Sequence, residues 1–271
     1  MLGFSHSGKI GDLIYSLNFC KACSDNAQFD FNIQINQKHQ FNTLERDDIM
    51  LSMNAAKYIK PLLNSQPYIR NVTINEKVPD KFIDLIIFKK HVLNLSSGDL
   101  RSFYYEISPN FLDMDFSIPI IKVDADYSLK NKVIVVLSER YVPAKIDFKE
   151  LEPFKDSLVL IGTKQEHERF EKKYFNIEYR KVENALQFAR LAKGSKGVLS
   201  NLNGNYAIAE QMKIPRILLW PDVMKIEYSK NEELVDKVIP GPMNVIPQGG
   251  ICNTATSTQR TVGLLKHLLR D

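Results

Sequence analysis

The stretch that decides the fold reads His6-Ser7-Gly8-Lys9-Ile10-Gly11-Asp12-Leu13-Ile14-Tyr15-Ser16-Leu17. A short apolar strand, Leu2 to Ser5, precedes it, and apolar residues from Ile10 onward recur at helical spacing. The pattern therefore predicts a strand, a loop with two glycines and a helix. In open α/β folds this arrangement places backbone N–H groups and the positive end of a helix dipole at the carboxyl edge of a parallel sheet, where ligands bind.

Asp12 is a candidate site residue, because it would stand in the cleft at the ligand edge of the predicted sheet. Lys9 and Gly11 lie beside it in the sequence. The spacing equally allows Asp12 to be a first-turn residue that complements the helix dipole, with the glycines serving only the turn. The stretch matches neither G-x-G-x-x-G nor a P-loop.

The rest of the first half carries a weaker pattern. An alternation of apolar residues and a mixed charged and apolar segment predict further strands and one helix. The strands are expected around Phe29 to Ile35, Val72 to Ile74 and Ile83 to Phe88, and the helix from Leu44 to Leu63, closing near Pro61. From there to Asp126 the pattern is confused.

The second half is more regular. Apolar runs recur roughly every twenty residues with helix-like segments between several of them, which is typical of right-handed βαβ crossovers and a parallel sheet. The strands are expected at Val133 to Leu137, Leu158 to Ile161, Ile177 to Tyr179, Gly197 to Leu199 and Arg216 to Trp220, and the helices at Gln165 to Tyr174, Ala185 to Ala192, Tyr206 to Met212 and Thr258 to Leu269.

These patterns predict an α/β protein of two Rossmann-like domains with a ligand cleft between them. The polar stretch from Asp124 to Lys132 precedes the second series of strands. We therefore place the boundary there, with residues 1–128 as the first domain and residues 129–271 as the second.

A second candidate site follows the predicted strand that ends near Leu199. An Asn/Gly loop leads into a helix of small residues, so exposed N–H groups again face the sheet edge, where a pyrophosphate fits. The candidate ligand residues are Asn201, Asn203, Gly204, Asn205 and Tyr206. Glu210, one turn further on, is a candidate acceptor for sugar hydroxyls. The alternative interpretation is an N-cap and a turn.

Two more loops end strands on the same predicted edge. Arg140 and Lys164 are candidates for neutralising phosphate charge, Arg140 as a bidentate fork and Lys164 as a point charge. Gly162 would let a base or ribose approach the backbone closely. Thr163 and Glu166 lie in the same loop and belong to the candidate nucleotide site. Singly, each is an ordinary surface or turn residue, and their convergence on one edge favours a shared ligand.

Composition narrows the function classes. The 271 residues include 44% apolar and 25% charged residues, and the net charge is +4. The scattered basic residues permit nucleic acid as a partner without indicating it. No apolar run of about eighteen residues occurs. The three cysteines, in a chain without an export signal, favour free thiols, so we expect a cytoplasmic protein without a membrane span.

No metal site is predicted from the histidines, the cysteines or the acidic motifs. The five histidines show no ligand spacing with one another or with the cysteines. Asp113-Met114-Asp115 and Asp124-Ala125-Asp126 match a D-x-D pattern, but neither follows a convincing strand. We interpret both as solvated loop carboxylates and predict neither a metal nor a cofactor.

The opening stretch resembles a known family. Ser7 to Leu17 is similar to the Gly-Asp-x-x-x-[Ser/Thr]-Leu start of the ADP-heptose:lipopolysaccharide heptosyltransferases, and Asn201 to Pro215 resembles their donor loop and helix. The Tyr-Ala-Ile-Ala-Glu run is typical of short phage and environmental-bacterial members. The resemblance implies a GT-B fold, metal-independent inverting transfer from a nucleotide-sugar, and Asp12 as the catalytic aspartate. It leaves roughly residues 25–130 unmatched.

The chain also departs from that family. Its donor loop reads Asp-x-Gly-x-x-His, whereas Leu202 and Ala207 take the Asp and His places here. Three hypotheses follow. The first is an inverting glycosyltransferase acting on a glycan or other hydroxyl acceptor, with residues 1–128 on the acceptor side, residues 129–271 binding the nucleotide-sugar and Asp12 as general base. Lys9 and the N–H groups near Gly11 would steady the leaving diphosphate. The second is a nucleotide or sugar-phosphate binding module without transfer activity. The third is a transferase acting on a hydroxymethylated DNA base.

Overall fold

The chain folds as two compact units. The computed structural model describes residues 2–38, 49–87, 104, 116–138, 146–219, 252–255 and 257–270. The division falls between Asp115 and Phe116, earlier than the predicted boundary after residue 128. The reason lies in the backbone of the intervening segment, because Ile120 N donates to Gln211 O at 2.9 Å and Asp126 N donates to Arg190 O at 2.9 Å. Residues 116–128 therefore pack with the second unit.

The described part of the first unit contains a four-stranded parallel sheet. Its strand order is β3-β2-β1-β4, with β1 at Gly3–His6, β2 at Phe29–Gln34, β3 at Ile69–Asn75 and β4 at Phe82–Asp84. The helices are α1, Ile10–Cys23, and α2, Met53–Asn64. The predicted strand, loop and helix of the opening stretch are thus confirmed.

Helix α2 is shorter at its start than predicted. It begins after Ser52, whose hydroxyl accepts from Ala55 N at 3.2 Å, and it runs past Pro61 to Asn64. The predicted residues 44–48 lie outside the described ranges. Pro61 stands in the last turn of this helix and, having no N–H, leaves out one i→i−4 bond there.

The two faces of the first sheet differ in polarity. Phe4, Phe31 and Ile33 are fully buried, and each such side chain stabilises the fold by about 1.5–3 kcal/mol. On the other face Asn32 binds its neighbours across the strands, since its Nδ2 donates to Ser5 Oγ at 2.9 Å and its Oδ1 accepts from Thr73 Oγ1 at 3.0 Å. If one strand shifted by one residue against its neighbour, its apolar and polar faces would be exchanged. The hydrogen bonds among Ser5, Asn32 and Thr73 therefore help to fix the register of the strands.

The second unit is a parallel sheet with the Rossmann strand order. Its described strands lie in the order β10-β9-β8-β5-β6-β7. Read from the β7 edge, with β5 counted as the first strand, the order is 3-2-1-4-5-6. The direction in which successive strands are added reverses between β5 and β8. The bounds are Val133–Val136 for β5, Leu158–Leu160 for β6, Glu178–Tyr179 for β7, Gly197–Ser200 for β8, Arg216–Leu219 for β9 and Cys252–Ala255 for β10.

The helices of this unit follow the sequence prediction within two residues. They are α3, Lys164–Lys173, α4, Ala185–Gly194, α5, Gly204–Met212, and α6, Thr258–Arg270. Strand β10 and a 3₁₀ segment at Phe148–Ser157 were not predicted. A second 3₁₀ turn covers Tyr127–Leu129, and a third, Leu85–Ile87, follows β4 in the first unit. Within the described ranges no helix has the length and apolar character that a membrane span requires.

Candidate functional site

The opening loop, residues 6–12, leaves the carboxyl end of β1. Strand β1 lies between β2 and β4, so the strand order reverses beside this loop, which is where open α/β sheets bind ligands. Asp12 is the third residue of α1, and its Oδ2 accepts from Lys9 N at 3.1 Å. The carboxylate is half-buried. The bond to Lys9 N is the contact expected if Asp12 only complements the start of the helix. The position of the carboxylate beside the point where the strand order reverses is the one expected for a residue that meets a ligand.

Gly8 allows this loop to pack tightly. A Cβ placed on Gly8 would lie 2.5 Å from Asp12 Oδ2 and 2.5 Å from His6 Cε1, distances that real side chains do not tolerate. The sequence pattern places Gly8 in the loop that brings N–H groups to the sheet edge or, in the alternative interpretation, only in the turn. In the structure the absence of a side chain at Gly8 also leaves room for the imidazole and the carboxylate. Gly11 lies half-buried in the first turn of α1.

Two fully buried residues brace the opening loop, and neither was a candidate at the sequence level. Gly8 N donates to His6 Nδ1 at 2.8 Å, and His6 Nε2 lies 2.7 Å from the Tyr104 hydroxyl. That hydroxyl donates to the backbone oxygen of Asp12 at 3.0 Å. Burial, and then the charge of Asp12, raise the pKa of Tyr104 well above its usual value. Tyr104 therefore stays protonated and remains a donor.

Lys9 is bound to a distant part of the first unit. Its Nζ donates to the backbone oxygen of Ile49 at 3.1 Å, and the residue is half-buried. Lys9 and Asp12 thus belong to one loop, as the sequence predicted.

The asparagine loop, residues 201–205, is the corresponding loop of the second unit. It follows β8, next to the point where the strand order reverses. Asn201 is fully buried and bridges to the loop after β5, since its Oδ1 accepts from Ser138 N at 2.9 Å and its Nδ2 donates to Ser138 O at 2.7 Å. The side chain of Asn201 therefore fixes the two loops that flank the reversal point.

Asn203 forms the N-cap of α5. Its Oδ1 accepts from Tyr206 N at 2.9 Å, and its Nδ2 donates to Ser200 Oγ at 2.9 Å. Gly204 and Asn205 follow as half-buried residues of the first turn. The ring of Tyr206 is buried in the interior, so only its backbone belongs to the loop. The arrangement is both an N-cap and a helix N-terminus suited to an anion.

Glu210 occupies a different environment from the one predicted. Its carboxylate is fully buried, Lys213 Nζ donates to its Oε1 at 2.5 Å, and Arg216 Nη2 pairs with its Oε2. Arg216 is itself fully buried and donates to Ile214 O. A carboxylate enclosed by two cations of its own chain does not reach a sugar hydroxyl, so we correct the prediction and assign Glu210 to a buried ion-pair cluster.

The loop after β6 is a capping box. Thr163 Oγ1 accepts from Glu166 N at 3.1 Å, and Glu166 Oε2 accepts from Thr163 N at 2.6 Å. A Cβ on Gly162 would lie 2.7 Å from Glu166 Oε2, so the carboxylate already occupies space beside that glycine. Lys164 is 81% exposed and pairs with Glu168. Because β6, β5 and β8 are parallel neighbours, this loop leaves the same sheet edge as the asparagine loop.

The remaining candidates carry no sign of ligand chemistry or lie outside the described residues. Arg140 and the Asp113 to Asp115 motif fall in ranges that the structure does not describe. Asp126 caps the 3₁₀ turn that follows it, and a hydrogen bond from Ser128 N lowers the pKa of its carboxyl. Burial raises the pKa of the Cys23 thiol to about 11, which leaves it a poor nucleophile.

Solved structures share this fold over nearly the whole chain, although no family profile and no curated protein sequence matches it. A family 9 glycosyl transferase from Veillonella parvula superposes with a TM-score of 0.62 at 10% identity, covering 99% of this chain and 97% of the other. The E. coli heptosyltransferase WaaC with ADP gives 0.56 at 12% identity, with 99% and 100% covered. The E. coli ADP-heptose lipopolysaccharide heptosyltransferase II gives 0.56 at 13% identity, with 100% and 99% covered. The predicted GT-B-like fold class is confirmed.

Proposed function

We propose that this chain is a metal-independent inverting glycosyltransferase that moves a sugar from a nucleotide-sugar to an acceptor hydroxyl. The observation that carries the proposal is the position of Asp12. Its half-buried carboxylate stands in the first turn of α1, at the carboxyl end of β1 and beside the reversal point of the sheet. Support comes from the full-length likeness to glycosyltransferases, two of whose structures hold ADP or an ADP-heptose analogue.

The proposed chemistry is a single displacement. Asp12 accepts the proton of the acceptor hydroxyl, and the resulting oxygen attacks the anomeric carbon of the donor. The bond between that carbon and the diphosphate oxygen breaks, and the nucleoside diphosphate leaves with the bonding electron pair. One displacement inverts the anomeric configuration. Lys9 and the N–H groups near Gly11 steady the charge that develops on the leaving diphosphate.

The second unit holds the nucleotide in this proposal. The first-turn N–H groups of Gly204 and Asn205 lie at the N-terminus of α5, which carries a partial positive charge suited to a diphosphate. Asn201 and Asn203 keep this loop in place through their bonds to Ser138 and Ser200. The exposed ammonium of Lys164 contributes charge at the same edge of the sheet.

The test measures nucleotide release from a panel of ADP-, UDP-, GDP- and dTDP-linked sugars by wild type and by Asp12→Asn. Asn keeps the acceptor for Lys9 N but not the basicity, so we expect the variant to lose about 10²- to 10⁴-fold in turnover. Asp126→Asn is the matched control, because Asp126 also accepts a backbone N–H at the start of a helical turn. Full turnover by Asp12→Asn would remove Asp12 from the mechanism. Thermal stabilisation by nucleotides without turnover of any donor would favour the binding-module hypothesis.

A further inference from the structure

We infer that His6 and Tyr104 are positioning residues for Asp12, an inference that rests on the proposed function. Together with Gly8 and Asp12 they form a closed chain of three hydrogen bonds, of 2.8, 2.7 and 3.0 Å. The chain begins at the loop backbone, passes through two fully buried side chains, and ends at the backbone of Asp12. It fixes the first turn of α1 against the end of β1.

Hydrogen-bond directions assign the tautomer of His6. The Gly8 N–H donates to Nδ1, so Nδ1 carries a lone pair and the ring proton of the neutral imidazole is on Nε2. The Tyr104 hydroxyl gives its own proton to the Asp12 carbonyl, and its oxygen accepts from Nε2. Every donor in the chain has an acceptor. The three hydrogen bonds therefore all run from Gly8 towards Asp12, and this order requires a neutral imidazole with its proton on Nε2.

The network holds the stretch of backbone that carries the Asp12 carboxylate. A Cβ on Gly8 would meet both the imidazole and the carboxylate at 2.5 Å, so the imidazole and the carboxylate both lie close to Gly8. A rotation of the first turn of α1 would move Asp12 and break a buried hydrogen bond to Tyr104, leaving a buried polar group unpaired. A general base must lie within hydrogen-bond reach of the proton that it takes.

The Tyr104 hydroxyl is separable from the packing of its ring. The ring lies 5.9 Å from the Phe19 ring and 6.0 Å from the His6 ring, centroid to centroid. Phenylalanine keeps these contacts, so Tyr104→Phe removes only the hydroxyl. Tyr68→Phe is the matched control, because the Tyr68 hydroxyl is also buried in the first unit and has no hydrogen-bond partner in the structure as described.

The kinetic test compares kcat and the donor KM of these variants. For Tyr104→Phe we expect kcat to fall by about 10- to 100-fold, since a small misplacement of a reacting group has effects of this size. The donor KM should change by less than about twofold, because the donor is held by other residues. Tyr68→Phe should match wild type in both parameters. An unchanged kcat in Tyr104→Phe, or an equal loss in Tyr68→Phe, would overturn the inference.

Two histidine variants separate the two bonds of His6. His6→Asn places an acceptor near the position of Nδ1, and His6→Gln places a donor near the position of Nε2. Each should recover part of the activity lost in His6→Ala. In the Asp12→Asn background, Tyr104→Phe should lower the residual turnover no further, because a residue that acts through Asp12 has nothing left to position. A full additional loss in the double variant would contradict the inference.

A spectroscopic readout separates this inference from the proposed function. Two-bond ¹⁵N–¹H correlation spectra of the His6 ring report which nitrogen is protonated. Wild type should show the Nε2–H tautomer, and Tyr104→Phe should show a mixture of tautomers. If wild type turns over no donor, the proposed function fails while these spectra still test the network. An Nδ1–H tautomer in wild type would overturn the network itself.

Discussion

The opening loop and the asparagine loop hold the same place in their respective sheets, but they carry different chemistry. Each follows a strand at the point where strand order reverses, and each leads into a helix. The opening loop presents the carboxylate of Asp12, and the backbone oxygen of this residue accepts from the buried Tyr104 hydroxyl, which in turn is bonded to the buried imidazole of His6. The polar side chains of the asparagine loop are neutral amides that bind the backbone and one another.

This difference suggests a division of labour. A neutral amide is too weak a base to take up a proton, whereas a carboxylate can do so. The asparagine loop is therefore suited to binding and the opening loop to proton transfer. In the proposed function the same strand, loop and helix topology serves two purposes, and the side chains at the first helical turn decide which. The predictions below test the two loops against each other.

Among substitutions of residues that shape the two loops without taking part in the chemistry, the largest effect is expected from Gly8→Ala, compared with Gly162→Ala. The added methyl at residue 8 meets the imidazole and Asp12 at 2.5 Å, which should lower turnover by about 10²-fold and destabilise the fold by about 1–3 kcal/mol. At residue 162 the methyl meets the end of the Glu166 side chain at 2.7 Å, which can rotate away. Steady-state turnover and urea unfolding of both variants check this, and equal losses in the two would contradict the account.

The next effect is expected from Asn201→Ala. The variant loses both bonds to Ser138, which should cost about 1 kcal/mol of stability per bond. The two loops at the reversal point are then no longer fixed, so the affinity for nucleoside diphosphate should fall while the chemical step at saturating donor changes little. Calorimetric titration and single-turnover kinetics separate the two quantities. A large fall in the rate of the chemical step with unchanged affinity would contradict the account, because it would place catalysis in the asparagine loop.

A smaller effect is expected from the N-caps Asn203 and Asn184. Both accept a backbone N–H from the third residue of their helix, at 2.9 and 3.0 Å. Replacement of either by Ala should cost about 1 kcal/mol of stability. Nucleotide affinity should fall only in Asn203→Ala, because α4 does not begin at the reversal point. A similar loss of affinity in Asn184→Ala would show that general destabilisation, rather than the loop, is responsible.

The smallest effect is expected from Asp126→Asn. The bond from Ser128 N holds the pKa of this carboxyl below its ordinary value of 3.8, so its stabilising contribution is present above that pH and is lost as the pH falls through the lowered pKa. The Tm of wild type should exceed that of the variant slightly at neutral pH, and the difference should vanish in acid. The effect is small because solvent screens the charge of Asp126. A difference that grows in acid would contradict the pKa direction.

The regular half of the fold was predictable because its strands are apolar on both faces. Val133, Ile134 and Val135 are all buried, as expected for a central strand of a covered parallel sheet. Strand β10 was missed because Cys252-Asn253-Thr254-Ala255 lacks that apolar character. The 3₁₀ segment at Phe148–Ser157 contains Pro153 and shows no helical period.

The candidate site was only partly predictable, because its bracing residues are distant in sequence. Asp12 and Asn203 stand in local motifs, whereas Tyr104 lies 92 residues from Asp12 in a segment without a clear pattern. Glu210 was misassigned since spacing alone does not tell which way a helical side chain points. Lys213, three residues later, was the available signal for an ion pair.

The most direct test of the division of labour measures two quantities on Asp12→Asn, the affinity for nucleoside diphosphate and the turnover of the best donor. The account predicts wild-type affinity together with a loss of at least about 10²-fold in turnover. Wild-type turnover, or a parallel loss of affinity and turnover, would contradict the assignment of chemistry to the opening loop and binding to the asparagine loop.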